Sequence, residues 1–380
     1  MPSHPYWRLS SFYFFYFAFV GAFSPYWSLY LKSLSFSASE IGVLMSLLMV
    51  TRIFAPTLWG WLADRSGKRA GIVQIAGALS FASYLGVFFG RSFWWMFGVM
   101  TLLSFFWSAS LPLVEAITLS HLGDSTARYG RVRLWGSIGF IIAVIGTGYI
   151  LDVAHVHSLL WLVLGTIAGI LVFSRYIPEI ETAVHHTDRF PVSQIIRRPE
   201  VAALFAACFL MVAAHGPFYT FYSLYLVAHG YSKGAIGWLW AVGVICEIAA
   251  FIGMPRIMQR FSVPQILGMS FTLAVIRFLL IGWLVNSVAF ILFAQVLHAA
   301  TFGTYHATAM AAIHHYFRGR HQATGQALYT SLTFGAGGTF GALISGYLWD
   351  YLGASLTFSM ASLFALCGLL LIVWKFRLRS

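Results

Sequence analysis

Long apolar stretches follow one another along almost the whole chain, and they constrain its fold more than any other feature. A membrane-spanning helix needs about 20 apolar residues. Twelve stretches of that kind cover residues 9–31, 41–62, 70–90, 93–119, 132–152, 158–177, 201–228, 235–254, 264–284, 288–314, 322–349 and 353–374. Only 9% of the residues are charged, against about 25% in soluble domains, and unbroken stretches argue against an outer-membrane barrel. The sequence therefore predicts an all-α membrane protein with twelve transmembrane helices.

The positive charges lie on one side of these predicted spans. Eighteen of the 23 Lys and Arg residues fall in the terminal segments and in alternate connections, whereas Lys32, Arg91 and Lys233 fall in the other connections. Cytoplasmic loops carry this excess, so both termini are predicted to be cytoplasmic. The net charge of +12 then reflects topology, and no nucleic-acid partner is expected.

The chain repeats short patterns at a nearly constant offset. Residues 28–31 (Ser-Leu-Tyr-Leu) return at 223–226, and Ile41-Gly42 returns at 236–237, both 195 residues later. The pattern Gly-Tyr-x-x-Asp at 148–152 returns at 346–350, which is 198 residues later. Two six-helix pseudo-repeats are therefore predicted.

The longest polar stretch separates six spans from six. We predict an N-terminal half over residues 1–177, a cytoplasmic linker over 178–200 and a C-terminal half over 201–380. The linker contains the pair His185-His186, but no further ligand at metal-binding spacing accompanies it, so no metal site is predicted there.

A charged segment between the second and third spans reads Gly60-Trp-Leu-Ala-Asp64-Arg65-Ser-Gly67-Lys68-Arg69. Each charge at the bilayer centre costs about 2.5–3.5 kcal/mol, so this segment is predicted to be a water-side turn. The pattern G-x3-D-R-x-G-K-R resembles the signature loop of the major facilitator superfamily of transporters. The resemblance implies two parallel six-helix halves, a substrate site near the membrane midplane between them, and a gating role for Gly60, Asp64, Arg65, Gly67, Lys68 and Arg69.

A second motif, Tyr129-Gly-Arg131-Val-Arg133, begins the fifth span, and the tenth span carries Leu297-His298 followed by His306. Together they resemble the phenylpropionate-permease branch, whose members are proposed to import 3-phenylpropionate and related aromatic acids with protons. Nucleoside–proton symporters carry a similar Tyr-Gly-Arg-Val-Arg segment, so this motif leaves the substrate open. Arg131 and Arg133 are added to the predicted gating residues.

Two acids, Glu115 and Glu247, lie well inside predicted spans, where ionisable groups are costly and usually functional. A buried carboxyl can bind and release a proton near neutral pH, so both are candidate proton-coupling residues. Glu247 is expected to have Arg277 of the next span as its partner, either for coupling or as a structural ion pair. Glu115 either contacts the proton or substrate, or pairs with Arg131 or Arg133.

Cations and histidines supply candidate substrate contacts. Arg52 lies 195 residues before Glu247; it either attracts a substrate carboxylate or pairs locally, and Arg277 is a second candidate. His298 and His306, eight residues apart, are expected to share a helix face and to relay a proton or bind a carboxylate. In the superfamily, helices one, four, seven and ten line the cavity, which adds His215 as a weaker candidate.

Aromatic residues are abundant in the same spans and suit a planar substrate; Trp27 and Tyr222 are the predicted contacts. Pro25 and Pro217, at similar depths in the two halves, are predicted hinges because proline interrupts helical hydrogen bonding.

These features predict a proton-coupled importer of a small aromatic carboxylate such as 3-phenylpropionate, working by alternating access. The alternatives are a proton-linked nucleoside or sugar symporter, a drug/proton antiporter, and a membrane receptor that transports nothing. No nucleotide loop, metal cluster or nucleophile elbow is present in the sequence, so neither an enzyme nor a cofactor is expected. The expected setting is a monomer in the lipid bilayer of a bacterial inner membrane.

Overall fold

The computed structural model describes residues 5–122, 126–179 and 193–376, and these ranges are helical and contain no β-strand. The α-helices are α1 (Tyr6–Phe23), α2 (Trp27–Ser33), α3 (Ala38–Ser66), α4 (Arg69–Leu85), α5 (Phe93–Trp107), α6 (Ser110–Leu122), α7 (Thr126–Val153), α8 (Ser158–Ser174), α9 (Ser193–Ile196), α10 (Pro199–Ala214), α11 (Gly216–Ala228), α12 (Lys233–Arg260), α13 (Val263–Trp283), α14 (Val288–His298), α15 (Tyr305–Tyr316), α16 (Gln322–Tyr329), α17 (Gly338–Leu352) and α18 (Ala354–Lys375). A π-helical segment over Ala299–Thr304 joins α14 to α15, and another over Thr330–Gly337 joins α16 to α17.

Nine helical stretches of the described chain are long and apolar enough to cross a membrane. They are Ala38–Ser66, Arg69–Phe88, Phe93–Leu122, Arg128–Val153, Pro199–Ala228, Lys233–Arg260, Val263–Trp283, Val288–Tyr316 and Ala354–Lys375. The apolar helix Ser158–Ser174, the pair α1 and α2, and the pair α16 and α17 cover the other three predicted spans. The predicted all-α membrane architecture is therefore confirmed.

Two of the spans are broken where proline was expected to bend them. Helix α1 ends at Phe23 and α2 begins at Trp27, with Pro25 in the turn between them. Helix α10 ends at Ala214 and α11 begins at Gly216, with Pro217 in the first turn of α11. Proline removes a backbone donor and crowds the preceding turn, which accounts for both breaks. A hinge motion at these breaks remains a prediction.

The chain divides into two compact units. The first comprises Met1–Phe36, Phe54–Thr187 and Ser232–Trp238, and the second comprises Ser37–Ile53, Asp188–Tyr231 and Leu239–Ser380. Helices α3 and α12 therefore contribute to both units, each through its first residues to one and through its remainder to the other. The predicted half boundaries at residues 177 and 201 remain a prediction.

Within the first unit, glycines let α1 and α7 pack with their backbones close together. A Cβ atom built on Gly21 would lie 2.5 Å from the carbonyl oxygen of Phe140, and one on Gly139 would collide with the backbone of Phe14. Small residues of this kind are typical of helix contacts in membranes, where close backbone approach supplies the attraction.

The second unit repeats this packing with equivalent residues. A Cβ atom on Gly337 would lie 2.8 Å from the carbonyl oxygen of Phe209, and Gly216 meets the backbone of Gly341. Phe209 and Gly216 follow their counterparts in the first unit by 195 residues, and Gly337 follows its counterpart by 198. The contact of Gly139 with Phe14 therefore recurs at the offsets of the sequence repeat, whereas Gly216 meets Gly341 and not residue 338, the counterpart of Phe140.

Glu179, at the N-terminal end of the predicted linker, binds the start of α4. The Glu179 carboxylate accepts hydrogen bonds from the backbone N–H groups of Ala70 (3.0 Å) and Gly71 (3.2 Å). These donors lie in the first turn of α4 and lack intrahelical partners, so a carboxylate stabilises them. Residues 180–192, including His185 and His186, lie outside the described residues.

Candidate functional site

Six of the predicted site residues lie close together in the second unit. His215 lies between α10 and α11, and the others lie on five helices: Tyr222 on α11, Glu247 on α12, Arg277 on α13, His298 on α14 and His306 on α15. Five different helical elements thus bring ionisable and aromatic side chains into one region of this unit. We call these six residues, together with Gln295, Thr301 and Phe302, which contact them, the polar cluster.

Glu247 and His298 form the central contact of the polar cluster. Glu247 Oε2 lies 3.9 Å from His298 Nε2, and the two side chains are 18% and 7% exposed, respectively. That separation exceeds a hydrogen bond but is short enough for a strong charge interaction when the ring is protonated. Gly303 makes the approach possible, because a Cβ atom there would lie 2.9 Å from Glu247 Cγ.

His298, Phe302 and His306 form a stack of three rings along one helix face. The His298 and Phe302 ring centroids lie 5.4 Å apart at an interplanar angle of 13°, and those of Phe302 and His306 lie 6.3 Å apart at 14°. The π-helical segment Ala299–Thr304 lies between the two histidines. Wider turns retard the rotation of successive side chains, so residues spaced by four stay aligned. His306 Nδ1 also lies 3.1 Å from the Tyr329 hydroxyl.

Arg277 is fully buried and makes different contacts from those expected. Its Nε donates to the carbonyl oxygen of Ala294 at 2.9 Å, its Nη1 lies 3.4 Å from Thr301 Oγ1, and its guanidinium stands 4.2 Å from the centre of the Phe218 ring. Its Nη2 has no hydrogen-bond partner among the described residues. The guanidinium is thus held by the α14 backbone and by Thr301, and Glu247 faces His298; the pairing of Arg277 with Glu247 remains a prediction.

His215 is held at the break between α10 and α11. Its Nδ1 lies 2.8 Å from the carbonyl oxygen of Met211, and its Nε2 lies 3.5 Å from Thr301 Oγ1. Thr301 Oγ1 thus contacts both the imidazole of His215 and the guanidinium of Arg277. The sequence analysis did not single out Thr301; its location in the tenth span beside His298 was the available signal.

Gln295 and Tyr222 add a neutral polar pair. Gln295 Nε2 donates to the Tyr222 hydroxyl at 2.6 Å, and both side chains are fully buried. Gln295 Oε1 has no partner among the described residues, and it lies 3.3 Å from where a Cβ atom on Gly243 would be. Sequence reasoning missed Gln295, although an amide inside the apolar run Val288–His298 is as unusual as a charge there.

Arg52 belongs to the second unit as well, through the segment Ser37–Ile53. The Tyr219 hydroxyl lies within electrostatic range of Arg52, Glu247 and Arg277.

Glu115 and Trp27 lie in the first unit, apart from the polar cluster. The Tyr129 hydroxyl donates to Glu115 Oε1 at 3.4 Å, and Arg133 lies within electrostatic range of this carboxyl; the pairing of Glu115 with Arg131 or Arg133 remains a prediction. The Arg133 guanidinium also lies 3.9 Å from the centre of the Phe17 ring. Trp27 is fully buried; its Nε1 points at Met100 Sδ (3.3 Å) and its ring stacks on Phe23.

The predicted gating loop forms a tight turn between α3 and α4 in the first unit. Arg69 Nη2 lies 3.0 Å from Asp64 Oδ1, and Arg65 lies over the Trp61 ring. Gly67 has a φ angle of +65°, a left-handed conformation that glycine adopts without strain. Lys68 precedes α4 and Gly60 faces open space. The gating role of the loop, and of Arg131 and Arg133, remains a prediction.

The polar cluster can bind a proton and an anionic group. A carboxyl and nearby imidazoles can exchange a proton, and a buried guanidinium with a spare donor can hold a carboxylate. Within the described residues there is no group of three or more His, Cys, Asp or Glu side chains that could hold a metal ion.

Comparison with known proteins gives consistent results. The model of the "MFS_1 like family" matches residues 6–360. The chain is 29% identical to the "Probable 3-phenylpropionic acid transporter" of Escherichia coli (strain K12) over 92% of each chain. It is 28% identical to the "Maltose permease" of Geobacillus stearothermophilus over 96% of this chain and 94% of the relative. The solved structure of the nucleoside transporter NupG superposes with a TM-score of 0.85 at 17% identity over 100% of both chains, which shows the shared fold.

Proposed function

The chain belongs to the MFS_1-like family of major facilitator transporters, and we propose that it imports a small aromatic carboxylate, such as 3-phenylpropionate, together with protons. The observation that carries this proposal is the contact of the half-buried Glu247 with the buried His298, in the same cluster as the buried guanidinium of Arg277. The similarity to the probable 3-phenylpropionic acid transporter supports the substrate class. Alternating access is the proposed mechanism.

Charge balance explains why proton and substrate would move together. Arg277 and Arg52 supply positive charge for a carboxylate, while an ionised Glu247 in the same unit repels it. Protonation of Glu247 removes that repulsion, so each ligand favours binding of the other, and this coupling must be reciprocal. His298, 3.9 Å from the Glu247 carboxyl, is the proposed first acceptor of the proton on release, and His306 is the next titratable ring along the stack.

Several aromatic side chains near Arg277 could contact the ring of the substrate. Phe218 lies beside Arg277, and its centroid is 4.8 Å from that of Tyr222 and 5.5 Å from that of His298. A planar substrate that placed its carboxylate near Arg277 would therefore bring its ring next to Phe218 and Tyr222, where stacking is favourable.

The proposal is tested by counterflow in proteoliposomes that contain the purified protein. Preloading with unlabelled 3-phenylpropionate should drive transient accumulation of the labelled compound, and an inside-alkaline pH gradient should drive uphill uptake without preloading. Protein-free liposomes are the control. Exchange of labelled uridine or maltose, with none of 3-phenylpropionate, would overturn the proposed substrate class.

A nucleoside or sugar symporter is the second candidate. The fold shared with NupG and the similarity to the maltose permease favour it, as does the neutral pair of Gln295 and Tyr222, since an amide and a hydroxyl can bind hydroxyl groups. The uridine and maltose arms of the same experiment decide between the candidates.

A further inference from the structure

Two repeated aspartates lie where α7 and α17 end, at the side of the membrane predicted to be external. The sequence repeat pairs Asp152 with Asp350, but neither residue belongs to the polar cluster or to the predicted gating loop. Each carboxylate instead contacts the first residues of a helix that comes from the other sequence half.

In the first unit, Asp152 binds the start of α12. Asp152 Oδ1 accepts a hydrogen bond from the backbone N–H of Lys233 at 2.7 Å, and Oδ2 accepts one from that of Gly234 at 2.8 Å. The Tyr26 hydroxyl lies 2.8 Å from the Val144 carbonyl oxygen and 3.1 Å from that of Lys233, and so bridges α7 and α12. We call these contacts the α7–α12 clasp.

In the second unit, Asp350 binds the start of α3 in the same way. Asp350 Oδ1 accepts a hydrogen bond from the backbone N–H of Ala38 at 3.1 Å, and Oδ2 accepts one from that of Ser39 at 2.7 Å. The Ser39 hydroxyl adds a third bond, also 2.7 Å long. We call these contacts the α17–α3 clasp; Ala38 and Ser39 precede Lys233 and Gly234 by the repeat offset of 195.

Glycines bring the paired helices together behind each carboxylate. A Cβ atom on Gly237 would lie 2.7 Å from the Val144 carbonyl oxygen in the first clasp. In the second, a Cβ atom on Gly346 would lie 2.6 Å from the Ala38 carbonyl oxygen. Each clasp therefore closes only while its two helix ends are in direct backbone contact.

We propose that the two clasps are paired latches that hold the external ends of these helices closed, and that both must release for the external face to open. The first N–H groups of a helix have no intrahelical acceptor and carry the positive end of its dipole, so a carboxylate is their favoured partner. Both carboxylates are exposed to water, which can replace either partner during opening. The proposal does not depend on which solute is transported.

Spin-label distances test the latches without a substrate. The three cysteines are first replaced by alanine, and labels are attached at Lys32→Cys and Ala228→Cys, exposed sites at the predicted external ends of the first and seventh spans. Asparagine keeps one acceptor of the two and loses the charge. We expect Asp152→Asn and Asp350→Asn each to raise the ratio of long to short distances about fivefold, and the double variant to multiply the two effects.

Glu40→Gln is the matched control. Glu40 accepts bonds only within its own helix start, from the N–H and hydroxyl of Ser37, and glutamine preserves this capping arrangement. Its distance distribution should equal that of the parent. Unchanged distributions in both aspartate variants, or an equal change in Glu40→Gln, would overturn the proposal.

A second pair of variants keeps the test valid if an aspartate variant folds poorly. Gly346→Ala places a methyl group against the Ala38 carbonyl and should force the α17–α3 clasp apart, raising the long-distance population. Gly98→Ala, where no atom lies within 4 Å of the new Cβ, should change nothing. A parent-like distribution in well-folded Gly346→Ala contradicts the latch.

Discussion

Glu247 and Glu115 are both acids inside membrane spans, yet their neighbours assign them different tasks. Glu247 faces a histidine and lies in the unit that holds Arg52 and Arg277. Glu115 accepts a hydrogen bond from Tyr129 and lies within electrostatic range of Arg133. We therefore assign proton coupling to Glu247 ahead of Glu115.

The first prediction concerns that assignment. Glu247→Gln cannot bind or release a proton, so uphill uptake driven by a pH gradient should fall at least tenfold while counterflow exchange continues. Glu115→Gln, the matched change in the other unit, should retain uphill uptake within about threefold, since glutamine keeps an oxygen that can accept the hydrogen bond of Tyr129. Uphill uptake by Glu247→Gln at the parent rate would remove Glu247 from the coupling mechanism.

The second prediction concerns Arg277. Lysine keeps the charge but not the forked donors, so Arg277→Lys should raise the KM of counterflow about tenfold, equivalent to about 1.4 kcal/mol. Arg277→Met, which keeps the volume and loses the charge, should abolish saturable binding of the carboxylate. Thermal unfolding of both variants is measured in parallel, and a normal KM in folded Arg277→Met would exclude the guanidinium as the carboxylate partner.

At the scale of the element, the π-helical segment Ala299–Thr304 positions the site. It keeps His298, Phe302 and His306 in one stack, and it presents Gly303 to α12 where Glu247 lies. A regular α-helix would rotate residues eight apart by about 80° relative to each other, so the spacing placed the two rings on one broad helix face, and the π-helical turns align them in one stack. π-helical turns occur frequently at functional sites.

The third prediction tests this element. Gly303→Ala places a Cβ atom 2.9 Å from Glu247 Cγ, which should push α12 away, cost about 1–3 kcal/mol in stability and reduce uphill uptake at least tenfold. Gly268→Ala, on α13 with open space at the new Cβ, should behave as the parent in uptake and thermal unfolding. Full uptake by Gly303→Ala would show that the close approach at this glycine is dispensable.

At the scale of the whole molecule, the distribution of positive charge predicts how the chain enters the membrane. Alkaline phosphatase fused after residue 155 should be active, because that connection is predicted to be external, while fusion after residue 67 should be inactive. A green fluorescent protein joined to the C-terminus should fluoresce, since that end is predicted to be cytoplasmic. The opposite pattern at these sites would invert the predicted topology.

The sequence by itself determined the class of fold. Apolar stretches of span length have no stable alternative to helices in lipid, because every backbone polar group must be satisfied within the segment. The offsets of 195 and 198 residues also indicate the repeat, and the structure shows it where the contact of Gly139 with Phe14 recurs as that of Gly337 with Phe209. The ionisable residues of the polar cluster could be identified from the sequence because charged residues inside membrane spans are rare.

Only the tertiary structure decided which of those residues meet. Sequence spacing suggested Arg277 as the partner of Glu247, but it did not show that the guanidinium contacts Ala294 and Thr301 or that His298 faces the acid. Partners on different helices depend on helix rotation and on π-helical turns, and one-dimensional spacing contains neither. Gln295 stood out in the sequence as an amide inside an apolar run, but only the structure shows that it is buried and that its Nε2 donates to Tyr222.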